Sequence, residues 1–168
     1  NFQALLNAIK NGTLDAEIVL VMSDIPNAKI LELANDAGIN HAVIDCRGYS
    51  TKFPLEAQQE VAQALRDSGV NLVCLAGFMR LIKAPLLNAF PNRVINIHPS
   101  LLPAFPGLEA WKQALDYGVK VAGCTVHFVT SDVDHGPIII QAAVPVLMDD
   151  TPATLAARVL HQEHRIFP

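Results

Sequence analysis

The sequence predicts an α/β fold built on a doubly wound, mostly parallel sheet, and three features of the chain point to it. Short β-rich apolar runs alternate with stretches of helical spacing through most of the 168 residues. Those runs, Ile18-Val19-Leu20-Val21-Met22 and Ile138-Ile139-Ile140 among them, are far shorter than the ~18 residues of a membrane span and suit strands buried in a parallel sheet. Asp45, Gly77, His98 and Asp134 all fall at or after the ends of strand-like runs rather than before them, and open α/β sheets bind ligands beyond the carboxyl ends of their strands.

In chain order, residues 17–22, 41–45, 70–75 and 94–98 are expected to be strands, because each is apolar and β-rich. Residues 28–37, 55–68 and 83–89 carry apolar positions at helical spacing and are expected to be helices. A further helix over 109–118 ends at Gly118, since a residue without Cβ suits the left-handed turn that closes a helix. Residues 122–129 and 138–146 supply two more strands. The last helix spans 151–164, with Asp150 or Thr151 as its cap. No repeat, low-complexity tract or linker divides the chain, so one domain is expected over residues 1–168.

Composition narrows the class of function. With 51% hydrophobic residues the chain can bury a large core. Lys and Arg number 12 against 16 Asp and Glu, a net charge of −4. There is no block of like charge and no interleaving of basic with aromatic residues, which argues against a nucleic-acid partner. Neither a membrane span nor a secretory leader is legible, so a cytoplasmic protein is expected. Cys46, Cys74 and Cys124 are odd in number and lack CxxC spacing, as reduced core thiols would.

Chemistry concentrates in two segments, Asn96-Ile97-His98-Pro99-Ser100-Leu101-Leu102-Pro103 and Asp132-Val133-Asp134-His135-Gly136-Pro137. Asn96 and His98 stand two apart in an extended run and so face the same side. Pro99 and Pro103 end that run and stiffen the loop beyond it, because proline fixes its own φ and restricts its neighbour. An amide, an imidazole and a carboxylate held together suit transfer at a carbonyl carbon: the N–H donates to a developing oxyanion, and the imidazole beside the carboxylate stabilises charge and moves protons.

These segments, with Leu75-Ala76-Gly77-Phe78-Met79-Arg80, Gly123-Cys124-Thr125-Val126-His127-Phe128-Val129, Ile140-Gln141, Val144-Pro145-Val146 and Glu163-His164-Arg165-Ile166-Phe167-Pro168, closely resemble the phosphoribosylglycinamide formyltransferases, folate-dependent transformylases of purine synthesis. Asn1-Phe2-Gln3-Ala4-Leu5-Leu6 looks like the start of that family's first helix. The resemblance implies a formyltransferase-type, Rossmann-like sheet with an antiparallel C-terminal strand. It also implies a copy without the family's first strand, most of its phosphate loop and its C-terminal end.

Residue by residue, the resemblance implies that Asn96 donates to the formyl oxygen, that His98 pairs with Asp134, and that Asp134 relays the amine proton through water. Thr125 and His127 match supporting positions lining that centre. Folate would be held largely by main chain around Arg80, Leu81, Ile82, Val129, Thr130, Ser131, Asp132 and Val133, with the Arg80 guanidinium suited to the folate glutamate carboxylate. Asn1, Gly77, Met79 and Glu163 match contacts to the ribonucleotide, while Leu160 stands where relatives often carry a polar contact. The implied co-substrate is 10-formyltetrahydrofolate, the acceptor is glycinamide ribonucleotide, no metal is required, and the protein is a monomer or weak homodimer.

Other readings stay open at this point. A formyltetrahydrofolate deformylase or a methionyl-tRNA formyltransferase would share the Asn, His and Asp and differ in the acceptor. A catalytically impaired fragment would keep the fold alone. A metal-dependent hydrolase using His98, His127, Asp134 and His135 would need a compact ligand spacing such as HExxH, which the chain lacks.

Overall fold

The computed structural model describes residues 1–49 and 52–168. Its elements run α1 Phe2–Lys10, β1 Val21–Ser23, α2 Lys29–Asp36, β2 His41–Val43, α3 Leu55–Asp67, β3 Val73–Ala76, α4 Ala84–Ala89, β4 Val94–His98, α5 Ala110–Tyr117, β5 Val121–Phe128, β6 Ile138–Pro145 and α6 Pro152–Ile166. Strands and helices alternate as the apolar runs predict. Two strands begin later than their runs because pairing, not hydrophobicity, decides where a strand begins: β1 bonds to β2 only from Val21, and β3 to β4 only from Val73.

β1 and β2 form a parallel pair, and β3-β4-β5-β6 form a second sheet. Within the latter, β3 and β4 are parallel while β4–β5 and β5–β6 are antiparallel, so β5 runs against both of its neighbours. The fold is α/β with a parallel beginning and a reversed strand near its end. The expectation that Ile138-Ile139-Ile140 is buried in a parallel sheet is corrected here. β6 is the edge strand of an antiparallel pair, and these isoleucines are 48%, 48% and 44% exposed. Cys46 and Cys124 are buried as expected, but Cys74 is exposed.

Three apolar clusters hold the elements together. Phe2 and Leu6 of α1 meet Val21 of β1 and Leu31 and Ala34 of α2. Val61 and Leu65 of α3 pack with Leu86 of α4 and Val94 of β4. Leu155 and Val159 of α6 cover Cys124 and Val126 of β5 and Val144 of β6. Truncating Leu155, which is 0% exposed, to alanine costs roughly 2–5 kcal/mol by the usual scale for buried leucines. Buried polar groups are satisfied within this packing: Gln58 donates to the Phe53 carbonyl and accepts from the Lys83 amide, tying α3 to the start of α4.

Helix ends obey their sequence signals. Gly118 closes α5 at φ 84°, and Thr151 caps α6 in a reciprocal box with Thr154, with Pro152 in the first turn. The buried positions of α6 are Leu155, Val159 and Glu163, four residues apart on one face. A carboxylate at the end of an otherwise apolar stripe marks the place where α6 reaches the cleft.

Candidate active site

Strand register assembles the site. Asn96 and His98 of β4 lie opposite His127 and Thr125 of β5, and Thr125 lies opposite Gln141 of β6. Alternation along each strand then puts all five side chains on one face. The carboxylate arrives from the loop between β5 and β6, where Asp134 adopts φ 54°. That loop can close against β5 only because residue 136 is glycine: a Cβ there would stand 1.7 Å from the Phe128 carbonyl oxygen. Asp134 then lies 3.5 Å from Nδ1 of His98 through one oxygen and 3.8 Å from Nε2 of His127 through the other.

Hydrogen bonds settle which nitrogens carry protons. His98 Nε2 lies 3.0 Å from the Phe105 carbonyl oxygen, which can only accept, so Nε2–H donates and Nδ1 is turned to Asp134. His127 is the opposite tautomer. Its Nδ1–H donates to the Phe128 carbonyl at 2.9 Å, and its Nε2 accepts from Asn96 Nδ2 at 3.2 Å. Burial of His127, 2% exposed, pushes its pKa below the ordinary imidazole value and keeps it neutral, although the Phe128 carbonyl and Asp134 pull the other way. Asn96 is thereby oriented: one Nδ2 proton goes to His127 and the other is free for the cleft. Asp134 is oriented in turn by the Gly107 N–H, 2.8 Å from Oδ2.

The cleft in front of these groups has a volume of about 1540 Å³, above the ~300–1,000 Å³ of an ordinary small-molecule site. Its lining takes in Ile30 and Leu33 of α2 and Leu75 of β3. It also includes Gly77, Met79, Asn1 and Glu163, as well as Leu81, Ile82 and residues 129–133. Every site residue expected from the sequence lines this cleft except Thr125. Thr125 is 0% exposed and sits behind the centre, bonded to the Ser100 carbonyl and the Leu102 N–H.

Two of the expected ligand contacts are already engaged. Arg80, with its side chain 8% exposed, donates through Nε to Asp24 at 2.6 Å and through Nη1 to the carbonyls of Tyr49 and Lys52. Among the described residues only its Nη2 is uncommitted, so Arg80 first ties the end of β1 to the wall of the cleft. Asn1 Nδ2 donates to the buried Glu163 at 2.8 Å, and among the described residues Asn1 Oδ1 is buried without a partner. His135 is exposed, with Nδ1 at 2.5 Å from the Val133 carbonyl oxygen. Among the described residues no group of three or more His, Cys, Asp and Glu is arranged to hold a metal ion, and no helix is long and apolar enough to cross a membrane.

Three contributors are not legible in the sequence: the carbonyl of Phe105, the N–H of Gly107 and the amide of Gln141. The first two act through main chain, which no side-chain pattern announces. Gln141 is an isolated polar residue in an apolar strand, and it has no role until the register is known.

The chain belongs to the formyl transferase family, whose model matches residues 1–168. Within that family it belongs with the phosphoribosylglycinamide formyltransferases: it is 43% identical to the one from Bacillus subtilis (strain 168) over the whole of this chain and 85% of that protein. A solved structure, glycinamide ribonucleotide transformylase 1 from Symbiobacterium toebii, superposes with a TM-score of 0.94 at 54% identity, covering 99% of this chain and 77% of that one. The trifunctional purine biosynthetic protein adenosine-3 of Gallus gallus is 47% identical over 168 residues, and this chain spans 17% of its length.

Proposed function

We propose that the protein transfers the formyl group of 10-formyltetrahydrofolate to the amine of glycinamide ribonucleotide, a step of purine biosynthesis. The observation that carries this reading is the convergence of Asn96, His98 and Asp134 in the lining of one large cleft. The folate supplies the formyl carbon. Asn96 presents its free Nδ2 proton to the formyl oxygen, which gains charge as the amine adds, in a site shaped to hold such charge without rearranging. A proton on His98 Nδ1 adds a positive charge beside that oxygen, and Asp134, 3.5 Å away, balances it. Asp134 also receives the proton that the attacking nitrogen sheds and returns it, by way of water, to the nitrogen of the departing folate.

The rest of the cleft fits the two substrates. Asn1 Oδ1, a buried acceptor, and the Glu163 carboxylate suit the hydroxyl groups of a ribose. Exposed Leu81 and Val133 offer apolar surface to a flat heteroaromatic ring, with the main chain of residues 130–133 close by. Leu160, 42% exposed in the cleft, offers the ribonucleotide apolar surface only.

A formyl-transfer assay tests the reading. Loss of 10-formyltetrahydrofolate should require glycinamide ribonucleotide and yield its formylated product. Release of formate without an acceptor, or a preference for methionyl-tRNA, would replace the proposed acceptor with water or tRNA.

A further inference from the structure

Building on the transfer activity proposed above, we infer that Gln141 is a positioning residue: acting through Thr125 and the turn at Leu102, it holds the segment that sets both the His98 ring and the Asp134 carboxylate. His98, Thr125 and Gln141 form one cross-strand row, each directly opposite the next. Gln141 Nε2 donates to the Leu102 carbonyl at 2.9 Å and to Thr125 Oγ1 at 2.9 Å. The Thr125 hydroxyl donates to the Ser100 carbonyl at 2.7 Å and also accepts from the Leu102 N–H at 3.0 Å.

A hydroxyl offers one proton and two lone pairs, and a primary amide nitrogen offers two protons. Every polar capacity of the Thr125 hydroxyl and of the Gln141 nitrogen is therefore used, and the Ser100–Leu102 turn receives most of it. The amide can face only one way, since its oxygen turned inward would oppose the Leu102 carbonyl, acceptor against acceptor. Gln141 itself belongs to the exposed edge strand and does not line the substrate cleft.

The turn it fastens leads straight to the reacting groups. Ser100 Oγ donates to the Ala104 carbonyl, and the Ala104 N–H donates to the Leu101 carbonyl. The next residue, Phe105, gives its carbonyl to His98 Nε2–H, and two residues later Gly107 gives its N–H to Asp134. Phe105 has φ 53°, a conformation a phenylalanine does not hold unaided, so the direction of its carbonyl depends on support from upstream. Removing the Gln141 donors leaves the part-buried Leu102 carbonyl and a lone pair of the buried Thr125 hydroxyl unpaired beneath that support. A displacement of an ångström at the reacting groups costs ~10²-fold in rate.

The variants Gln141→Met and Gln141→Glu test this. The first keeps the length of the side chain without its donors. The second sets acceptors against the Leu102 carbonyl until its carboxyl is protonated. Gln141→Met should lower kcat by about 10-fold or more while KM for both substrates stays within about twofold. The ¹⁵N–H signal of His98 Nε2, which the Phe105 carbonyl holds in the wild type, should shift or broaden in this variant. Gln141→Glu should be slower still near neutrality, with its kcat relative to wild type recovering towards acid as one donor returns. Wild-type kcat together with an unchanged His98 spectrum in Gln141→Met would overturn the assignment. Should neither variant fold, the wild-type protein decides: both Gln141 side-chain protons must exchange slowly with water, and exchange at the rate of a free glutamine would overturn it. The imidazole spectrum and proton exchange require no formyl transfer, so a failed activity assay and a failed role for Gln141 are distinguishable.

Discussion

Asn96 donates to a histidine that has already given its only proton away: Nε2 of His127 accepts at 3.2 Å because Nδ1–H is held by the Phe128 carbonyl. This fixes which edge of the Asn96 amide meets the substrate. Asn96→Ala should lower kcat by about 10²–10³-fold, the usual consequence of removing one oxyanion donor, with a smaller change in KM. Steady-state kinetics with both substrates check this, and a raised KM with kcat intact would place Asn96 in binding alone.

His127 also gives stability a pH dependence. Its ordinary pKa of 6.5 is lowered in the folded protein by burial. As pH falls through 6.5, the unfolded chain takes up the proton before the folded one does, so the native state loses stability towards mild acid. Denaturation midpoints between pH 7 and pH 5 should therefore fall less steeply for His127→Asn than for the wild type. An equally steep fall in both would remove His127 as the cause.

Asp150 acts in the same direction at a lower pH. Arg158 grips both of its oxygens at 2.6 and 2.8 Å, while the Leu147 N–H and the Thr154 hydroxyl also donate to it, holding its carboxyl well below the usual carboxylate range. The contribution is present above the ordinary value of 3.8 and is lost only as pH falls through the lowered folded value. Arg158→Ala should lower Tm by a few degrees at neutral pH, and the gap should close in strong acid. Thermal melts across that range check it.

Gly136→Ala should be the most damaging small substitution in the Asp134 loop. The added methyl would lie 1.7 Å from a backbone oxygen of β5, so the loop must move away from the strand. Turnover should drop with Asp134 displaced, and Tm should fall with the β5–β6 connection distorted. Wild-type melting and turnover in this variant would contradict the close approach.

Much of the site was legible because side chains announce it. Alternation put Asn96 and His98 on one face of the strand 94–98, and the residues just past a strand are where an α/β sheet binds. Helix ends at Gly118 and Thr151 were legible for the same local reason. What stayed hidden depended on pairing between distant segments. Thr125 was expected in the lining of the transfer centre, but register with both neighbours carries it behind the centre to the Ser100–Leu102 turn. Ile138–Ile140 looked buried because hydrophobicity does not tell a central strand from an edge. Phe105 and Gly107 contribute main-chain atoms, for which sequence has no letter.

The left-handed backbone of Asp134 sets folding against turnover at a single position. An aspartate held at φ 54° is strained by about 1–2 kcal/mol, which a glycine would relieve. Laboratory selection for heat resistance alone would thus have reason to replace this residue, and each such success would remove the carboxylate beside the His98 ring. Thermostabilised versions of this protein should be screened by turnover as well as by melting, since the two rankings are expected to part company here.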